Sequence, residues 1–410
     1  MHTQEIKLTL NAPDGYEAKV KPVPDDWLVN GQTVIELGIF PVATTAITGS
    51  DVLTNSSEQA FLSCPRLYHW SYNRGWRPQR DKKPLRMGSA GHAGIDAIAK
   101  GLDPASAVAD YYDIIMADAA TWQDSQQALY DLAIECVTMQ CLVEGYAVAW
   151  ANSQVEIIES EKVFDLPIIN PETGAASRTF RQSGKRDRIA RLPDGRIVLM
   201  ETKFISDDLA PDSDYWRILG INQQLSKYIL AARADGHDVQ SAVQDVVRKP
   251  TIKPCDQPER DEHGLVVARD AATGERAKKK NGEFYLTADV EKGRTVRVSP
   301  MTPDQWRHKL AADIVSRPEY YYARHEIPRL DSDLDEYQHE LWWIADSIRQ
   351  ARNSGRWFRN SGSCKRFNSL CPYYSLCSGE LDTKAGVPAG FRQAENVHEE
   401  LTQAEGEGVE

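Results

Sequence analysis

Asp187-Arg188-Ile189-Ala190-Arg191-Leu192-Pro193-Asp194-Gly195-Arg196-Ile197-Val198-Leu199-Met200-Glu201-Thr202-Lys203 is the stretch from which the fold is read. Its centre, Pro193-Asp194-Gly195, suits a three-residue hairpin loop: proline presets the first turn dihedral and glycine takes the left-handed position that forms the bulge. The loop sets the register. Leu192 pairs with Arg196, and equal steps back place Asp187 opposite Glu201, both side chains on one face roughly 5 Å apart. Lys203, two residues on, shares that face. Two carboxylates at that separation repel unless a cation lies between them, and hard oxygen ligands select Mg²⁺ or Mn²⁺. The same residues also read as a cross-strand surface cluster in which Lys203 neutralises the acids.

Working outward, VEIIESEKVFDLPI (155–168) and RTFRQSGKRDRIARL (178–192) read as further strand segments, separated by the turn signal NPETGA. A helical pattern spans Tyr215 to Arg233, and Asp245 to Val247 return to the sheet. The expected class is α+β, a mixed central sheet flanked by helices. Leu129, Leu132, Val137, Leu142, Val143 and Tyr146 line one long amphipathic helix. The chain divides into an N-terminal extension (1–55), a helical lobe (56–152), the core (153–250), a polar, Lys-rich insertion (251–300), C-terminal helices with a cysteine motif (301–377) and a tail (378–410). Helices are expected from Thr302 to Arg352.

A chain of 410 residues exceeds the usual single-domain size, so two or three structural units are expected. No run of about 18 apolar residues occurs, and MHTQEIKLTL lacks the order of a signal peptide, which predicts a soluble, cytoplasmic protein without a membrane partner. The net charge of −12 argues against nucleic acid only as an average. From Ser378 onward, Glu380, Asp382, Glu395, Glu399, Glu400, Glu405, Glu407 and Glu410 face only Lys384 and Arg392, which puts half of that charge in the tail. Such a composition predicts disorder there.

Between Cys64 and His92, Arg66, Arg74, Arg77, Arg80, Lys82, Lys83 and Arg86 alternate with Tyr68, Trp70, Tyr72 and Trp76 against one acid, Asp81. Cations bind the nucleic-acid backbone and aromatics stack on bases, so Arg74, Trp76, Arg77, Arg80, Lys82, Lys83 and Arg86 form a candidate DNA-binding segment. The bland reading is a solvated surface packed on a core. Lys278-Lys279-Lys280 is a weaker candidate. Seven cysteines, an odd number, argue against a disulfide framework. Cys364, Cys371 and Cys377 cluster, Cys64 shares their polar-aromatic setting, and four thiolates suit either zinc or an iron–sulfur cluster. Cys136, Cys141 and Cys255 read as core or incidental residues.

Asp187 followed by Glu201-Thr202-Lys203 resembles the signature of the PD-(D/E)XK nuclease superfamily. Its RecB-like branch adds an upstream histidine and a Q-x-x-x-Y helix, matched here by Gly88-Ser89-Ala90-Gly91-His92 and by Gln224-Leu225-Ser226-Lys227-Tyr228. Branch members related to AddB and to CRISPR-associated nucleases carry one cysteine before the core and three after it, binding [4Fe–4S]. Phage or prophage members look most similar, including a run like Asp245-Val246-Val247-Arg248-Lys249-Pro250. The resemblance implies Mg²⁺ or Mn²⁺ on His92, Asp187, Glu201 and the Thr202 carbonyl, with Lys203, Gln224 and Tyr228 completing the catalytic set. It implies [4Fe–4S] on Cys64, Cys364, Cys371 and Cys377. The gaps of six and five residues in that group leave zinc open. The implied activity is DNA exonuclease action on single strands or duplex ends, with a recombinase or helicase as a conceivable partner. The alternative class is a non-catalytic DNA-end binding or assembly subunit.

Overall fold

Around the Pro193-Asp194-Gly195 loop, Leu192 N–H donates to the Arg196 carbonyl at 2.9 Å, and Gly195 adopts φ +89°. The computed structural model describes residues 51–401 apart from 81, 123, 281, 286–293, 367 and 368. It also describes the backbone of four short strands, Tyr16–Val20, Leu28–Val29, Gln32–Thr33 and Leu37–Pro41. Most of the expected N-terminal extension and residues 402–410 of the tail lie outside the described residues.

The central sheet has six strands: β1 (Asp51–Leu53), β2 (Glu156–Ile169), β3 (Ala176–Arg191), β4 (Ile197–Ile205), β5 (Val239–Arg248) and β6 (Tyr322–Pro328). They run in the order β6, β5, β4, β3, with β2 along the other side of β3 and β1 parallel to its beginning. Strand β5 is parallel to β4, and the β2–β3, β3–β4 and β5–β6 pairs are antiparallel, which makes the sheet mixed. Strand β6 falls within the stretch expected to be helical. Tyr322 and Ile327 are buried and His325 and Glu326 exposed, a pattern without strict alternation in a strand too short to announce itself.

Helices cover both faces. Strand β5 shows why: Val246 belongs to one core and Val247 to the other, so the strand is buried on both sides. One layer holds α1 (Asn55–Ser63), α5 (Gln223–Ala234) and α7 (Asp331–Ser354). The other holds α2 (Lys83–Ala99), α3 (Pro104–Ala119), α4 (Ser125–Ala149) and α6 (Pro303–Ser316). Helix α4 is long and apolar enough to cross a membrane, but Met139, Leu142 and Val143 are fully buried against its neighbours, so its apolar surface is taken up by the core. The helical pattern after Tyr215 is interrupted at Asn222, whose side chain accepts from Leu225 N–H and restarts the chain as α5.

The acidic tail corrects its expectation. Phe391–Gln393 pairs antiparallel with Trp76–Pro78, Phe391 is buried, and Val397 O accepts from Arg77. Hydrogen bonds to a preformed edge and a few apolar anchors order a segment whose average composition predicts disorder.

Candidate active site

The β3–β4 ladder runs from Arg191↔Ile197 to Arg188↔Met200, the register set by the loop, and ends one step before Asp187 and Glu201. From there the strands part. The Asp187 side chain takes over the backbone's role: its Oδ2 accepts from Thr202 N–H at 2.7 Å. Strand β1 resumes pairing along β3 only at Phe180–Gln182. The acids therefore sit where the sheet opens at its centre, a place where buried polar groups face each other instead of a neighbouring strand.

Glu201 is 1 % exposed. Its Oε1 accepts from Lys203 Nζ at 2.6 Å and from Gln224 Nε2 at 2.7 Å, while Oε2 is buried without a hydrogen-bond partner. Burial, then the charge of Asp187, push its pKa up to about 8. Burial disfavours the Lys203 ammonium, but Glu201 and Asp187 outweigh it and hold its pKa above the ordinary value. Gln224, on α5, thus grips the Glu201 carboxylate. Tyr228, one turn on, is buried with its ring 5.6 Å from that of Phe164. A side chain at Gly184 would come within 3.0 Å of the Tyr228 ring, so this glycine lets α5 approach β3.

His92 arrives from the opposite layer, on α2, with Nδ1 3.6 Å from Asp187 Oδ2. The helix carries three glycines at cost to its intrinsic stability. Two are explained by contact: a Cβ at Gly91 would lie 2.2 Å from the Phe204 ring, and one at Gly94 2.9 Å from Val143. The small residues let α2 lie directly on β4 and bring His92 to the acids.

The structure adds a residue the sequence reading missed. Glu161, on β2, lies between the pairs Ser160↔Arg188 and Lys162↔Arg186, hence opposite Asp187. Donor atoms of His92, Glu161 and Asp187 all lie within 4.8 Å of one another. Burial and Asp187 raise the Glu161 pKa, and Lys185 is its ion-pair partner. A register shift between Ile157 and Glu159 decides which β2 residue faces Asp187. Such bulges leave no reliable mark in sequence.

Behind the motif, on the other face, Asp245 of β5 is fully buried. It accepts from Arg188 at 2.8 Å, from Arg324 at 3.1 Å and from the Tyr146 hydroxyl, while Arg188 also donates to the Thr202 hydroxyl. This network ties β3, β4, β5, β6 and α4 together at the level of the acids.

The family model of the PD-(D/E)XK nuclease superfamily matches residues 53–378, a span that begins in β1 and contains every acid described above. The chain belongs to the PD-(D/E)XK nuclease superfamily. It is similar to a crystal structure described as a candidate exonuclease from Eubacterium rectale, at 11% identity and a TM-score of 0.31, over 67% of this chain and 84% of that one. It is also similar to the crystal structure of SSO0001, at 11% identity and a TM-score of 0.20, over 66% and 78% of the two chains. Likenesses this loose add nothing to the family assignment. No curated protein matches the chain.

In this PD-(D/E)XK nuclease, Cys64, Cys364, Cys371 and Cys377 line one cavity with Leu67, Tyr373 and Tyr374. Trp70 Nε1–H points at Cys377 Sγ at 3.4 Å and Asn360 N–H at Cys64 Sγ at 3.3 Å. Burial pushes the Cys371 and Cys377 thiols up. Among the described residues, His92, Glu161 and Asp187 form the one group of three such donors within 4.8 Å, so no three of these thiols are that close together. A single tetrahedral zinc would need sulfurs roughly 3.8 Å apart, from Zn–S bonds of about 2.3 Å. Cys136 and Cys141 are buried in α4, and Cys255 is exposed elsewhere.

The basic-aromatic segment is built differently from its expectation. Trp76 is 2 % exposed and stacks on Trp70 at 5.3 Å, packed with Tyr373, Leu376 and Phe391 beside the cysteines, so it offers no face to a base. Arg77 donates to the Ser71 and Val397 carbonyls, and Arg86 to Glu135. Arg80 pairs with Asp124 over the Trp122 ring. Arg74, Arg80, Lys82 and Lys83 are exposed. The aromatic half of the segment is core, and only the cationic half reaches solvent.

Proposed function

We propose that this chain is a divalent-metal-dependent deoxyribonuclease that removes nucleotides from single strands or duplex ends, a RecB-like member from a phage or prophage that serves DNA processing, recombination or repair. The observation that carries the reading is Glu201 Oε2: a buried, unpartnered carboxylate oxygen in the field of Asp187, which a divalent cation would satisfy. Asp187, Glu201, His92 and the Thr202 carbonyl would hold Mg²⁺ or Mn²⁺. When bound, the ion supplies charge for the phosphate oxygens and lowers the pKa of water.

The side chains do the rest. Gln224 and Lys203 lock the Glu201 carboxylate in one orientation. The Lys203 ammonium, kept protonated by its two acids, would hold the attacking water in line with the scissile bond. Hydroxide adds to phosphorus, the P–O3′ bond breaks and the proton ends on the 3′ oxygen, giving 5′-phosphate and 3′-hydroxyl ends. Exposed Arg74, Arg80, Lys82 and Lys83 would contact the DNA backbone.

For the four cysteines we propose a [4Fe–4S] cluster, supported by their gathering around one cavity and by N–H groups directed at two of the sulfurs. Elemental analysis showing zinc without iron would overturn it. The nuclease reading is tested by degradation of end-labelled DNA with Mg²⁺ or Mn²⁺, by wild type and Glu201→Ala. Metal-dependent loss of label by wild type alone is expected, and blocking one strand end at a time reveals exonuclease polarity. An inactive wild type that still binds DNA ends would instead favour an assembly subunit.

A further inference from the structure

We propose that Glu58, which belongs to none of the motifs above, is a positioning residue for the nuclease reaction: joined to Lys227, it fixes the seat of α5 and so the Gln224 hydrogen bond that orients Glu201. The proposal rests on the nuclease reading above and deepens it by naming what holds the partner of the Glu201 carboxylate in place.

Glu58 on α1 and Lys227 on α5 are both fully buried. Lys227 Nζ donates to Glu58 Oε1 at 2.7 Å and to the Leu53 carbonyl at 2.9 Å, while Glu58 Oε2 has no hydrogen-bond partner. Burial, the largest influence on both groups, pushes the Glu58 pKa up and the Lys227 pKa down, so each charge is costly where it stands. Two apolar side chains of similar volume would hold the helices together as firmly or more so. What the ion pair adds is direction, since apolar contacts tolerate sliding and a short charge-assisted bond does not.

The pair is tied to the strand that carries Asp187. Leu53 ends β1 and pairs with Gln182 of β3, and Asp187 stands further along that same strand. Helix α1 is itself fixed at both ends: Thr54 Oγ1 accepts from Ser57 N–H at 3.2 Å, and the Ser63 carbonyl accepts from Asn360 at 2.9 Å and from Ser363 at 2.8 Å. On α5, Ser226 Oγ accepts from Arg329 at 3.1 Å, and Lys227, about 100° further round the helix, is held by Glu58. Two anchors in different directions fix the rotation of α5 as well as its position. Gln224, one turn earlier, then meets Glu201 of β4 at 2.7 Å. The lysine refers α5 to β3 and the glutamine refers it to β4, the two strands that carry the acids. A shift of Gln224 by about 1 Å carries its bond past about 3.5 Å, outside hydrogen-bonding range, and a misplacement of that size costs about 100-fold in rate.

The test is steady-state degradation of end-labelled DNA, with thermal unfolding of the full chain, for Glu58→Leu combined with Lys227→Met, for Gln224→Ala, and for all three together. The paired apolar variant should melt at or above the wild-type Tm, keep KM for DNA within about twofold and lose about 10- to 100-fold in kcat. Adding Gln224→Ala should cost no more than about twofold beyond that, because both changes remove the same bond. A purely structural pair would let the rate follow Tm and would make the two losses multiply. Full kcat in the folded paired variant, or multiplying losses, overturns the proposal. If the paired variant does not fold, Glu58→Gln decides by the same cycle with Gln224→Ala: a shared loss supports the link, and unchanged kcat or multiplying losses overturn it. A wild type without Mg²⁺- or Mn²⁺-dependent loss of label sinks the nuclease reading and this proposal with it, whereas an active wild type with an equally active paired variant sinks this proposal alone.

Discussion

Replacing Asp245 by asparagine keeps the shape of the side chain and removes the charge that Arg188 and Arg324 share. Asp245 is fully buried, 2.8 Å from one guanidinium and 3.1 Å from the other, and it also accepts from Tyr146. The substitution leaves two cations facing an amide in a region with little water. Removing one partner of a buried ion pair costs about 3–5 kcal/mol, most of it the penalty of the charge left behind. With an unfolding entropy of about 2.1 cal/mol/K per residue over about 350 residues, that is ~4–7 °C in Tm if the domain melts as a unit. Differential scanning calorimetry on metal-free protein measures it. Because the network is buried, the loss should persist in 0.5 M salt, where the Debye length is only about 4 Å. Arg188 also holds the Thr202 hydroxyl, so nuclease activity well below Tm should fall with the stability. A shift below about 1 °C would refute the reasoning, because the network would then be worth no more than an exposed pair.

Cation affinity should depend on pH through Glu201. Its folded-state pKa, about 8, lies above the ordinary 4.5, so the metal-free fold carries a proton that the unfolded chain has released. That contribution to stability is complete below pH 4.5, declines above it and is lost as pH passes 8, and Tm of the metal-free protein should fall over that window. A cation must displace the same proton, so affinity should rise about 15-fold from pH 6.5 to 8, with proton release seen as buffer-dependent calorimetric heats. Equal affinity at both pH values would contradict the assignment. Gly91→Ala places a Cβ 2.2 Å from the Phe204 ring and should displace α2 and His92, lowering kcat about 100-fold, with Phe204→Leu restoring part of it. Full activity of Gly91→Ala would show that the ring, not the helix, yields. Cys371→Ala should release iron and lower Tm by several degrees. Unchanged iron content would remove Cys371 from the proposed cluster.

Much of the candidate site was legible because its geometry is local. The Pro193-Asp194-Gly195 loop specifies the β3–β4 register by backbone dihedrals alone, and the register carries Asp187 and Glu201 to the opening in the sheet. Gln224 and Tyr228 share a face because helical spacing requires it. Gly91 and Gly94, on either side of His92, mark a close approach, to Phe204 and to Val143.

What only the tertiary structure decided depends on neighbours distant in sequence. A bulge in β2 selects Glu161 over its neighbours to face Asp187, and no residue type marks it. Trp76 reads as a stacking platform until Trp70, Tyr373 and Phe391 bury it, and the acidic tail reads as disordered until Phe391–Gln393 finds the Trp76–Pro78 edge. Gln224 could have served a phosphate, a lysine or a carboxylate, and the packing of α5 over Gly184 chose Glu201. Periodicity and turn chemistry act over a few bonds and are written in order along the chain. Burial and electrostatic partnership act through space, and the sequence states them only once it has folded.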